Sequence, residues 1–224
     1  MTRQAFRDAL VDLRAAVFEM GELVLDRLES ALSALETGDD SLARDVIDGD
    51  DEINRLYLDL EADCIDIFAL EQPVASDLRL VAASFKIITD LERVGDLAAN
   101  LGRYALSSQL DAVPAVDLVS IGRVAKDLLA DALDAYERES AEACRAVANR
   151  DDEVDVRCQA AGDRLIRDLL ESDPEIDAWA LEAVLDDVAS VLLTIRDIER
   201  VGDHAVNIAA RTLYALEGEP ELIY

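Results

Sequence analysis

The chain has 224 residues, of which 51% are hydrophobic, so it is long enough to bury one or two cores of ordinary size. Fifty acidic residues against 21 basic ones give it a formal net charge of −29. This charge argues against nucleic acid and against an anionic membrane surface as partners, because both would repel the chain.

Three scattered cysteines (Cys64, Cys144 and Cys158) and one histidine argue against a Cys/His zinc site. The cysteines are predicted to be small core residues in a reducing compartment. The N-terminus has no apolar signal core, and no apolar run reaches the ~20 residues that a membrane helix needs. These features predict a soluble, cytoplasmic protein without membrane insertion.

Apolar residues recur every three or four positions through most of the chain, which predicts helices rather than strands. Gly38 is the predicted end of the first helix, and Asp39 is the predicted N-cap of the second. Ser140 and Asp173 are the predicted caps of the fifth and sixth. The six predicted helices are about 3–36, 40–71, 74–108, one from Pro114 to 138, 141–171 and one from Pro174 to 217.

The third and sixth predicted helices carry one motif twice. D-L-E-R-V-G-D at 90–96 recurs as D-I-E-R-V-G-D at 197–203, and at a second offset Pro73 aligns with Pro174. Two copies predict an internal duplication. The predicted fold class is all-α, with two tandem antiparallel three-helix bundles related by a pseudo-two-fold duplication. The predicted domains are residues 1–110 and 111–224.

Each motif copy places two acids four residues apart on the polar face of an amphipathic helix. These acids are Glu92 with Asp96 and Glu199 with Asp203. Two such acids repel in water by roughly 0.2–0.5 kcal/mol. A hard cation with oxygen ligands would reverse the sign of that interaction.

A second set of polar residues lies near the start of the second and fifth helices. If neighbouring helices pack antiparallel, these residues lie level with the motif acids, so each bundle gathers three or four carboxylates. This arrangement predicts two metal sites, and the alternative is a solvated helix face without a ligand. The candidate metal ligands are Asp50, Glu92, Asp96, Asp151, Asp155, Glu199 and Asp203, with Asn54, Asn100 and Asn207 as secondary candidates.

His204 lies towards the edge of the apolar face of its helix, so it is interpreted as a core-edge residue and not as a ligand. No phosphate-binding loop, nucleophile elbow or H-E-x-x-H motif is present in the sequence.

Five segments carry a resemblance to a known family. They are M-G-E-L-V at 20–24, V-I-D-G-D at 46–50, Q-P-V-A-S-D-L-R-L at 72–80 and the two motif copies. They resemble the PhoU family of phosphate-transport regulators over nearly the whole chain. The resemblance implies a six-helix, pseudo-two-fold pair of bundles. It also implies that E(D)-x-x-x-D motifs hold multinuclear iron or zinc on the bundle surface, as in some members. The oxygen ligands leave manganese, magnesium and calcium open as well.

This sequence departs from the family pattern at Asn54, which supplies a neutral oxygen where an acid is expected. The two halves are also not equivalent, because the Asp-Leu-Arg segment that ends at Arg79 has no counterpart in the second half. Arg79, Arg93 and Arg200 are candidates for partner binding. For each of them a local ion pair worth under ~1 kcal/mol is an equal alternative.

The resemblance implies a negative regulator of phosphate uptake and of phosphate-starvation signalling. Such a regulator acts as an adaptor on the ATPase subunit of the phosphate ABC transporter, with a phosphate-sensing histidine kinase as a further partner and a homodimer as the expected assembly. The Asp-rich, Lys-poor composition is also similar to that of proteins from halophiles.

Two other classes compete with this regulator. A ferritin-like metal enzyme expects Glu-x-x-His on two helices of a four-helix core, facing inward. Here the spacing is Glu-x-x-x-Asp on the polar face, so no enzyme is predicted. A purely structural helical scaffold would bind no stoichiometric metal.

Overall fold

The computed structural model describes residues 3–107, 117–171, 178–218 and Leu222, and the side chains of Arg3, Asp151 and 178–184 lie outside that description. Within these ranges the chain is helical and has no strand, as predicted. A π-helical turn at Ile67–Glu71 directly follows the α-helix Asp50–Asp66. The α-helices are α1 (Arg3–Thr37), α2 (Asp40–Asp48), α3 (Asp50–Asp66), α4 (Ser76–Ser107), α5 (Leu118–Glu137), α6 (Ala141–Ala148), α7 (Asp151–Glu171) and α8 (Ala178–Glu217).

The second and fifth predicted helices are each divided in two, so the expectation of continuous helices was wrong there. The first break lies at Gly49, whose N–H still donates to Asp45 O at 3.0 Å. A Cβ atom at Gly49 would lie 2.7 Å from Cζ of Arg27 on α1. The end of the Arg27 side chain therefore lies over Gly49 and would have to move aside for a side chain at this position. The equivalent break follows α6, where Arg150 N donates to Val147 O at 2.9 Å.

The described helix ends follow the predicted caps. Gly38 has the left-handed φ of 65°, which glycine adopts without strain. Asp39 accepts hydrogen bonds from Ser41 N at 2.9 Å and Leu42 N at 3.1 Å. Ser140 Oγ accepts one from Ala143 N at 3.2 Å. The predicted cap Asp173 lies outside the described residues.

One hydrophobic core joins the two halves of the chain. α4 and α8 pack antiparallel, since Asp90 lies against His204 whereas the later Asn100 lies against the earlier Asp197. We call this contact the α4–α8 seam. It places the two motif copies next to each other at the centre of the molecule.

The contact between α1 and α5 shows the pseudo-two-fold relation directly. A Cβ atom at Gly21 would lie 2.5 Å from Cδ2 of Leu133, and one at Gly122 would collide with Cδ2 of Leu32. The two contacts correspond to each other, because residues 21 and 32 align with residues 122 and 133 at an offset of 101. Each glycine thus leaves space for the leucine side chain of the other half.

The glycines of the two motif copies likewise allow close packing between helices, here within each half. A Cβ atom at Gly95 would lie 3.0 Å from Ile53 on α3, and one at Gly202 would lie 3.3 Å from Val154 on α7. This close packing holds α3 against α4 and α7 against α8.

No helix in the described part of the chain is both long and apolar enough to cross a lipid bilayer. The predicted boundary between residues 110 and 111 lies outside the described residues, and the division into two domains stays a prediction.

Candidate functional site: two acidic clusters

The first acidic cluster consists of Asp50 on α3 with Glu92 and Asp96 on α4. Partial burial and the charge of Asp96 raise the pKa of Asp50, while the hydrogen bond from Asn54 opposes that rise. Partial burial, then Asp96 and Asp50, raise the pKa of Glu92. The three carboxylates therefore act on one another across two helices.

The second acidic cluster repeats this arrangement with Asp155 on α7 and Glu199 and Asp203 on α8. Partial burial, then Asp155 and Asp203, raise the pKa of Glu199. Partial burial and Asp155 likewise raise the pKa of Asp203, against the opposing charges of His204 and Arg200.

Local sequence explains how the clusters form. Leu91, Val94 and Leu97 are buried, which turns the polar side of α4 towards solvent and α3. On α8, Ile198 and Val201 are buried in the same way. The motif acids thus lie on the helix face that the apolar residues leave free.

Asp50 offers a test of whether a cation suits the first cluster. Its Oδ2 accepts a hydrogen bond from Asn54 Nδ2 at 3.0 Å. Its Oδ1 is buried and has no hydrogen-bond partner among the described residues. An orphaned carboxylate oxygen beside further carboxylates is a donor set that suits a hard cation.

The acids do not form a closed coordination cage. Among the described side chains, no three His, Cys, Asp or Glu residues converge closely enough to hold a metal ion together. The side chain of the candidate ligand Asp151 lies outside the description. Of the secondary candidates, Asn207 is exposed, whereas Asn100 is occupied by donating to Asp197 and accepting from Arg103.

Cys158 lies beside the second acidic cluster but is not suited to act as a ligand. It is buried, and burial together with Glu199, Asp155 and Asp203 raises its thiol pKa to about 12. The thiol is therefore protonated at neutral pH. All three cysteines are buried and free, as predicted for core residues.

Two buried aspartates in the seam went unrecognised in the sequence. Asp90 Oδ1 lies 2.9 Å from Nδ1 of His204, which is buried as its position at the edge of the apolar face predicted. The matching Asp197 accepts from Asn100 Nδ2 at 3.2 Å and from the Tyr104 hydroxyl at 3.0 Å. The sequence does contain a signal for them, because an aspartate begins both motif copies, at positions 90 and 197. Each aspartate lies two residues before a cluster glutamate, so the seam positions both clusters.

Comparison with known proteins identifies the family. The model of the PhoU domain matches residues 17–105 and again residues 118–212. The chain belongs to the PhoU family. It is 34% identical to a phosphate-specific transport system accessory protein PhoU homolog of Pseudomonas aeruginosa, over 96% of this chain and 86% of that protein. It shares 34% identity with the PhoU accessory protein of Escherichia coli over the same shares of the two chains.

Solved PhoU structures have the same fold. The crystal structure of the phosphate transport system regulatory protein PhoU from Streptococcus pneumoniae superposes with a TM-score of 0.86 at 28% identity, covering 96% of this chain and 98% of that one. PhoU from P. aeruginosa gives 0.83 at 34% identity, covering 96% and 100%. Membership of the PhoU family makes the chain a regulatory or accessory protein and not an enzyme.

The three arginines that the PhoU resemblance put forward for partner binding differ in their surroundings. Arg79 is half-buried, and its Nε donates to Ala215 O at 3.4 Å, which ties α4 to the end of α8. Arg200 lies 3.9 Å from Asp197. Arg93 is exposed and has no hydrogen-bond or ion-pair partner among the described residues.

Proposed function

We propose that this PhoU-family protein is a cytoplasmic accessory protein that restrains phosphate uptake and phosphate-starvation signalling when phosphate is plentiful. One observation carries the proposal. Relatives that are named phosphate-specific transport system accessory proteins align with 96% of the chain at 34% identity. The alignment therefore extends through both halves and both acidic clusters, and is not confined to one bundle.

The proposed direct partner is the ATPase subunit of the phosphate ABC transporter. An adaptor that binds this subunit can limit transport without chemistry of its own, by favouring one conformation of the transporter. A phosphate-sensing histidine kinase is the proposed second partner, and a homodimer is the proposed assembly. The relatives' printed role in a phosphate-specific transport system supports the transporter as the first partner to test.

We further propose that each acidic cluster binds a cation. Asp50, Glu92 and Asp96 would hold it in the first half, and Asp155, Glu199 and Asp203 in the second, with Asp151 as an added ligand. A bound iron, zinc, manganese, magnesium or calcium ion would neutralise the repelling acids and link α3 to α4 and α7 to α8. The raised pKa values of Glu92 and Glu199 support this, because they reflect partial burial and repulsion by neighbouring carboxylates, which a bound cation would offset.

Deleting the gene in its source organism tests the regulatory function. With excess phosphate in the medium, initial uptake of radioactive phosphate should rise several-fold in the deletion strain, and the wild-type gene should restore low uptake. A strain that lacks both this gene and the transporter ATPase is the control, and its uptake should not rise. Unchanged uptake in the single deletion would contradict the proposal.

A further inference from the structure

The basic side chains of α4 and α8 are unusual because, among the described residues, most of them form no ion pair with a carboxylate. These two helices carry seven basic residues, and within the described structure only Arg200 lies in an ion pair, a loose one of 3.9 Å. The other helices and their caps contrast with this, because ten of their 13 described basic residues form ion pairs. Those ten are Arg14, Arg27, Arg44, Arg123, Lys126, Arg138, Arg145, Arg150, Arg157 and Arg164.

Five of these residues form what we call the basic face: Lys86, Arg93 and Arg103 on α4, and Arg196 and Arg200 on α8. Arg200 is half-buried, and the other four are exposed. With 50 acids in the chain, an exposed cation has many carboxylates available. Except for Arg200, these cations form no ion pair with any described carboxylate, so their charges stay available to an outside partner.

The two helices bring their cations together over the seam. Arg103 Nη1 donates to Asn100 Oδ1 at 2.6 Å, and Asn100 in turn donates to Asp197 on α8. Arg103 and Arg196 both act on the Tyr104 hydroxyl, opposing the burial and the Asp197 charge that raise its pKa to about 12. Cations of both halves thus meet at one place on the surface.

The basic face also borders both acidic clusters. Arg93 counteracts the raised pKa of Glu92, and Arg200 counteracts that of Asp203. A partner that covers the basic face would lie next to each cluster.

We infer that the basic face docks an acidic surface of a protein partner. The inference rests on the proposed function, which names the transporter ATPase subunit as that partner. Charge complementarity is the argument. The chain as a whole carries −29 and repels an acidic surface, so the unpaired cations of the basic face are the groups that can attract one. The difference in charge between the basic face and the rest of the surface would orient the two proteins as they approach each other. Arginine is also among the residues that contribute most to binding energy at protein interfaces.

A pair of matched charge reversals tests the inference. Lys86→Glu/Arg196→Glu changes two exposed residues of the basic face that have no hydrogen-bond or ion-pair partner within the described part of the chain. Arg55→Glu/Arg167→Glu makes the same change in charge on α3 and α7, at exposed residues that likewise form no ion pair with a described carboxylate. Calorimetry with the purified ATPase subunit of the organism's phosphate transporter measures Kd. Circular dichroism verifies that all variants are helical.

The face variant should bind about tenfold or more weakly, whereas the control variant should stay within about twofold of wild type. Equal affinity of wild type and face variant would overturn the inference and leave the proposed function standing, because the subunit would then dock elsewhere. Equal weakening in both variants would also overturn it, since the effect would be one of net charge. A wild-type protein that does not bind the subunit would overturn the proposed partner and the inference together.

Discussion

At the scale of single residues, four carboxylates of the two acidic clusters have a raised pKa: Asp50, Glu92, Glu199 and Asp203. Partial burial and like-charged neighbours raise the pKa of Glu199 from 4.5 and of Asp203 from 3.8. A carboxyl with a raised pKa in the folded protein favours folding while it is protonated. That contribution is lost as the pH rises through the folded pKa. At neutral pH and without a cation the cluster therefore destabilises the fold.

A Glu199→Gln variant should reverse this effect. In chelator at pH 7 its free energy of unfolding should exceed that of wild type by roughly 0.2–0.5 kcal/mol or more, since a repelling charge is gone. The difference should shrink as the pH falls through the raised folded pKa of Glu199, because the wild-type carboxyl then becomes protonated. Urea unfolding at several pH values measures it. When Mn²⁺ or Fe³⁺ is added at pH 7, wild type should gain stability and the variant should gain less.

Glu137→Gln on α5 is the matched control, because Glu137 is exposed and lies outside both clusters. Its free energy of unfolding should equal that of wild type, both with and without the cation. A stabilising effect of the cation that is equal in all three proteins would argue against binding at the second cluster and favour a structural scaffold.

Residue spacing predicted part of each cluster. Glu92 and Asp96 lie four residues apart on one helix, so their shared face follows from helix geometry alone. The seam pairs were not predictable in this way. Asp90 meets His204 across 114 residues, and nothing local to either residue specifies that contact.

At the scale of elements, the packing of α1 against α5 depends on glycine. Gly21 receives the end of Leu133, and by the duplication Gly122 receives Leu32. Both leucines are buried, so neither has room to move aside.

Gly21→Val should therefore destabilise the protein by about 1–3 kcal/mol, the usual cost of overpacking a core. Gly162→Ala on α7 is the control, because a Cβ atom there meets nothing within 4 Å. It should stabilise the helix by roughly 0.5–1 kcal/mol, since alanine loses less backbone entropy than glycine. Chemical denaturation compares both variants with wild type. A Gly21→Val variant as stable as wild type would show that α1 and α5 can separate without cost.

Helix ends lie where the sequence predicted them when a capping residue was present. α1 ends just before Gly38, and Asp39 caps the start of α2. The break at Gly49 was missed because the apolar residues keep their helical spacing on both sides of it, from Val46 to Ile53, and periodicity does not report a one-residue interruption.

At the scale of the whole molecule, the net charge of −29 is spread over a fold with one shared core. The ion pairs neutralise only part of it, because acids outnumber bases by 50 to 21. Mutual repulsion therefore opposes the compact state.

Salt should stabilise this protein. Between 0.05 and 1 M NaCl the screening length falls to about 3 Å, which weakens repulsion between surface carboxylates. The unfolding temperature should rise by several degrees, where ~1 kcal/mol corresponds to ~2–4 °C for a chain of this size. Circular dichroism during heating measures the change, with sorbitol at equal osmolality as the uncharged control. A constant or falling unfolding temperature would mean that the screened ion pairs outweigh the repulsion, and it would contradict adaptation to salt.

The sequence by itself determined the helices, their caps, the duplication and the acid pair on each motif helix. These are local or periodic properties, and residues within about four positions of each other specify them. The level of Asp50 with Glu92 and Asp96 followed from sequence only on the assumption that neighbouring helices pack antiparallel. Only the tertiary structure decided that the two halves share one core through a seam of buried aspartates, and that six of the seven basic residues of α4 and α8 form no ion pair with a described residue. Each of these depends on side chains far apart in the chain, whose meeting is set by how glycines and buried apolar residues let the helices approach.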